Sequence, residues 1–153
     1  MHVPLAIYLP YLLLTLVIEA PVVLGLLVRR CGWQRSLFVG LLASLITHPL
    51  LWFVWSRVIS HRTHYTAYVA SGEALVVLIE AGVFYVLALL PTAGRKSSPW
   101  DRPARLAGIA LGISLAANFA SWGTGALLHE LGLLRPIVMT AARAIDAVLA
   151  RLF

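Results

Sequence analysis

Four runs of apolar residues, at 5–28, 36–58, 66–90 and 104–128, follow one another along the chain, each broken only by scattered polar positions. A hydrocarbon core of ~30 Å takes about 20 apolar residues in a helix, so each run predicts one membrane-spanning helix and none is long enough for two. The first run starts without a basic leader, outlasts the core of a signal peptide and lacks a clear cleavage site, so it is read as a retained helix.

Beyond residue 131 the pattern changes. Ile137, Val138, Ala141, Ile145, Val148, Leu149 and Leu152 fall on one side of a helix, with Thr140, Arg143, Asp146 and Arg151 on the other. Pro136 suits the first turn of such a helix, and the charges exclude a fifth span. The expected fold is therefore all-α: a four-helix transmembrane domain over 1–131 and an amphipathic C-terminal helix over 132–153, lying in the interface or packed on a partner.

Composition agrees with this reading. The 153 residues are 61% hydrophobic and 12% charged, whereas soluble domains carry roughly 25% charged residues. The formal net charge of +6 comes from Arg and Lys placed between apolar runs rather than in one patch, so nucleic acid is not an expected partner. Cys31 is the single cysteine, which excludes an internal disulfide.

Seven of the twelve basic residues lie in two loops, Arg29, Arg30 and Arg35 in the first, and Arg95, Lys96, Arg102 and Arg105 in the third. The positive-inside rule makes both loops cytoplasmic and puts both termini outside, as expected for a prokaryotic inner membrane. Trp33, Trp55 and Trp100 fall near the ends of spans, where indole rings anchor at headgroups.

The chain also resembles itself. Ile18-Glu19-Ala20-Pro21-Val22 recurs as Ile79-Glu80-Ala81-Gly82-Val83, and Ser44-Leu45-Ile46-Thr47-His48 is echoed by Ser114-Leu115-Ala116-Ala117-Asn118. This predicts one hairpin written twice, its halves related by an axis along the membrane normal.

Glu19, His48, Glu80 and Asn118 all lie within roughly 5 Å of the midplane, counting 1.5 Å per residue from the span ends. A carboxyl at the bilayer centre costs about 2.5–3.5 kcal/mol, so Glu19 and Glu80 are expected to face the bundle interior. Glu73, two turns from Glu80 on the same face, extends the stripe. Thr15, Ser44, Thr47, Ser114 and Ser121 supply supporting polar positions, and the stripes are expected to converge. Small and hydroxyl residues also serve close helix packing, a purely structural use. Pro21 and Pro49 predict locally loosened backbone beside Glu19 and His48.

Several chemistries fit this set. Two Glu, a His and an Asn offer ligands suited to zinc, manganese or iron, but no H-E-x-x-H or E-x-x-H pair is present, so the metal or cofactor is left unknown. His61, Arg62 and His64 add a second conceivable metal position in the outer loop. A proton relay needs only carboxyls, His48 and bridging hydroxyls. A hydrolase needs Ser44 or Ser121 paired with His48, and no G-x-S-x-G supports one.

Thr47-His48-Pro49, Glu73 and Glu80 around Val76-Val77, and Asn118 to Ser121 resemble motifs of a group of small prokaryotic four-helix membrane proteins. In that group the second helix often reads Thr-Asn-Pro, with an amide where His48 stands here. The resemblance brings no activity, and nothing is carried over beyond the positions themselves. The expected function is ion- or proton-linked transport or a channel-like role, with a structural or accessory subunit second and an intramembrane enzyme third. Four helices are few for a complete carrier, so a homo-oligomer or a membrane complex is the expected partner state.

Overall fold

The computed structural model describes residues 5–59, 64–90 and 102–152. His61, Arg62, Arg95, Lys96 and Trp100 lie outside the described residues. The described residues form five helices, α1 (Leu5–Cys31), α2 (Trp33–Val58), α3 (Tyr65–Leu89), α4 (Pro103–Glu130) and α5 (Leu134–Leu152), and no strand. The first four are long and apolar enough to cross a membrane.

Local chemistry sets the helix ends. Gly32, at φ +80°, makes the one-residue turn between α1 and α2, and Gly132, at φ +69°, turns the chain from α4 into α5. Both are conformations that a Cβ disfavours. Pro103 opens α4 at a position where its missing N–H costs nothing.

α1 packs along α2 and α4, and α3 along α4 and α2, so the four helices form an up-down-up-down ring. The α1–α2 approach is close because Gly40 faces Val23. A Cβ added at Gly40 meets Val23 Cγ1 at 3.1 Å and Cβ at 3.2 Å, on a stiff β-branched side chain. Gly40→Ala is therefore expected to destabilise the bundle by about 1–3 kcal/mol, the usual cost of overpacking, read by thermal unfolding in detergent.

The bundle has two unlike halves. In the half beside the α1–α2 turn, Val23, Leu27, Val39, Ala43, Phe84, Ala88, Leu89, Leu106, Ala110, Ile113 and Ala117 form one apolar core. The other half carries the polar side chains described below.

Two helices change period. α2 widens to a π-helix over Leu50–Trp55, directly after Pro49, and α3 widens over Phe84–Leu89, four residues after Glu80. Proline explains the first, since it removes a backbone donor; α1 runs unbroken through Pro21. Phe84–Leu89 contains neither Gly nor Pro, so its widening had no signal in the sequence. Arg35 Nε donates to the Leu87 carbonyl at 2.7 Å, tying this segment to the start of α2.

α5 folds back on α1 of the same chain, burying Val138 and Ala142 one turn apart. Ile137 and Val148, on the face expected to be covered, are exposed. Trp55 is half-buried, its Nε1 donating to the Tyr68 carbonyl at 3.4 Å, beside Gly72, where a Cβ would strike Leu51.

Candidate functional site

Helical spacing brings the polar stripes of four helices to one place. Glu19, near the middle of α1, is 4% exposed and Glu80, in α3, is 1% exposed. Neither carboxyl faces outward from the bundle. Both line a single cavity of about 110 Å³. α1 and α2 contribute Thr15, Glu19, Thr47, His48 and Leu51; α3 and α4 contribute Glu73, Val76, Glu80, Asn118, Ser121 and Trp122.

Ser44 and Ser114 are buried and bonded to the two acids. Ser44 Oγ donates to Glu19 Oε2 at 2.7 Å. Ser114 Oγ donates to Glu80 Oε2 at 3.0 Å, and Asn118 Nδ2 reaches the same oxygen at 2.6 Å. Thr47 Oγ1 donates to Glu80 Oε1 at 3.0 Å. The ten polar positions named from the sequence thus gather around the cavity or hold the carboxyls that line it. Glu19, Glu73 and Glu80 thus share the lining of one cavity.

The hydroxyls allow more than one proton arrangement. Thr47 has one proton and two acceptors, the Ala43 carbonyl at 3.0 Å and Glu80 Oε1 at 3.0 Å. With Glu80 ionised, Thr47 donates to the carboxylate. With a proton on Oε1, the acid donates to Thr47, which turns to Ala43. Ser44 has the same choice between Glu19 and the Gly40 carbonyl at 3.3 Å. Each acid can gain or lose a proton without leaving a buried donor unmatched, a cost that otherwise opposes such a change.

His48 lines the cavity without bonding to either carboxyl. Its Nε2 lies 3.2 Å from Thr15 Oγ1, and no Ser–His hydrogen bond is present among the described residues. Its ring joins an aromatic group with Tyr8 and Trp52, centroids 5.6 and 6.0 Å away. Among the described residues, His48 Nδ1 and Tyr8 Oη are buried without a hydrogen-bond partner.

Among the described residues, no group of three or more His, Cys, Asp or Glu is placed to hold a metal. His48 therefore does not join the two carboxyls in a three-ligand set. Leu51 and Trp122 also line the cavity and were not singled out from the sequence. Trp122 follows Asn118 by one helical turn, a spacing that could have marked it.

The cavity ends toward the apolar core. Every residue of that core lies, along its own helix, on the α1–α2 turn side of Glu19, Ser44, Glu80 or Asn118. Packed hydrocarbon therefore lies beyond the carboxyls on that side. No protein-family model, no curated protein and no solved structure matches the chain.

Proposed function

We propose that this small integral membrane protein takes up a proton or a small monovalent cation in the polar cavity, in ion- or proton-linked transport. One observation carries the reading: Glu19, Glu73 and Glu80 line one cavity, and no Lys or Arg is among the described residues that line it. Like charges in a low-dielectric site repel strongly, so such a cavity favours an added positive charge. The switchable hydroxyls of Ser44 and Thr47 support the same reading, because they accommodate both protonation states.

The apolar core makes the site one-sided, which suits a binding state of a carrier better than an open channel. Orientation follows the positive-inside rule. Arg29, Arg30, Arg35, Arg102 and Arg105 gather at the α1–α2 turn end, which is read as cytoplasmic, with the cavity and both termini outside a prokaryotic inner membrane. A repeated hairpin is supported by the matching bonds of Ser44 to Glu19 and Ser114 to Glu80, at equivalent positions of the two sequence repeats. A homo-oligomer or larger membrane complex would complete so small a bundle.

A second reading, a structural or accessory subunit, is favoured by one feature. Glu80 accepts from three donors on two neighbouring helices, the way buried polar groups hold helices together. An intramembrane enzyme stands third, since Ser44 bonds to Glu19 and His48 to Thr15.

Proteoliposomes carrying an internal pH indicator and an imposed H⁺, Na⁺ or K⁺ gradient test the proposal. The wild-type chain is expected to dissipate at least one gradient faster than protein-free vesicles. Glu19→Gln should return that rate to background. Wild-type flux equal to that of empty vesicles for all three ions would exclude the transport reading.

A further inference from the structure

A second hollow adjoins the polar cavity. It is a groove of about 560 Å³ between α3 and α4, walled by apolar side chains that include Val77, Leu78, Leu115 and Phe119. Leu78 and Phe119 are largely exposed, 65% and 67%, so the groove lies on the outer face of the bundle. On a spanning helix that face meets acyl chains.

Glu73, Asn118 and Trp122 line both the groove and the polar cavity. The two hollows therefore meet at a carboxyl, an amide and an indole. Along a transmembrane helix pair, a carboxyl opening onto a lipid-facing groove costs free energy unless something of opposite charge or a donor sits beside it. Close helix packing would not need one.

We infer that the groove and cavity together form a lateral binding site for an amphiphilic monocation, a single alkyl chain ending in an ammonium group, entering from the lipid. The chain lies between α3 and α4. The ammonium rests at the junction, beside the Glu73 carboxyl and near the Trp122 ring, whose negative face attracts a cation when water is excluded. Charge complementarity selects this occupant, since Glu73 stands at the junction and Glu19 and Glu80 line the adjoining cavity, and together they would repel a phosphate or carboxylate head. The inference rests on the reading of the polar cavity as a cation site and names the class of cation.

Equilibrium dialysis of radiolabelled dodecyltrimethylammonium against the full-length protein in phosphatidylcholine nanodiscs tests it, with empty nanodiscs as the blank. Saturable binding above the blank is expected. Tetramethylammonium, the head without the chain, should compete about tenfold more weakly or worse, and Glu73→Gln should weaken binding by about tenfold. Val77→Trp, which fills the groove, should remove the preference for the long chain; Leu115→Phe serves if that variant is not monodisperse on size exclusion. Absence of saturable binding, equal competition by the two ammonium ions, or unchanged affinity in a monodisperse Glu73→Gln protein would each overturn the inference. Ion flux of the wild-type chain separates the two proposals. Flux without alkylammonium binding removes the lateral site and leaves the cavity reading standing, whereas loss of both removes the cation site altogether.

Discussion

Glu80→Gln is expected to fold as the wild-type chain does and to carry no ion flux above protein-free vesicles. The amide fits the existing network. Its oxygen can replace Oε2 and accept from Ser114 and Asn118, and its NH₂ can replace Oε1 and donate to Thr47, which then donates to Ala43. The substitution thus imitates a permanently protonated acid, keeping every bond and removing only the ability to exchange a proton or neutralise a cation. Glu80→Ala differs. It leaves a cavity and deprives Ser114 of its acceptor, so a loss of roughly 2–4 kcal/mol in stability is expected. Unfolding midpoints in detergent and flux in proteoliposomes, measured on both variants, separate the roles. A stable Glu80→Gln protein with undiminished flux would make Glu80 a structural residue.

Phe84→Ala should be the most damaging apolar substitution. Phe84 is 1% exposed, begins the π segment of α3 and belongs to the core beneath the carboxyls. Removing the ring is expected to cost about 3–5 kcal/mol, and Phe84→Leu less than about 1.5 kcal/mol, because more of the volume remains. A functional consequence is expected as well. The space opened lies between the polar cavity and the α1–α2 turn end, so vesicles containing Phe84→Ala should leak protons without a driving solute. Wild-type tightness in Phe84→Ala vesicles would show that this core does not form the seal.

Much of the architecture was legible in the chain. Spanning helices depend on summed hydropathy over about 20 residues, a local property, so the four runs and the observed helices agree within a few residues. The depth of Glu19, His48, Glu80 and Asn118 follows from counting along a helix. Their inward orientation follows from the cost of meeting lipid. Pairing was not legible. Ser44 bonds to Glu19 and His48 to Thr15, both on α1, and neither partner is marked by spacing within α2. Helix rotation and register decide such contacts, and both depend on packing such as Gly40 against Val23. The widening of α3 at Phe84, in a stretch without Gly or Pro, was likewise not legible.

The order of residues alone determined that the chain contains four apolar spans and that their ionisable groups lie near mid-span, because burial of each group in lipid is judged one helix at a time. Only the tertiary structure decided that the carboxyls share one cavity, that hydrocarbon closes it on one side, and that an apolar groove joins it at Glu73 and Trp122. Those features belong to the spaces between helices, whose shape is set by side chains from several segments at once.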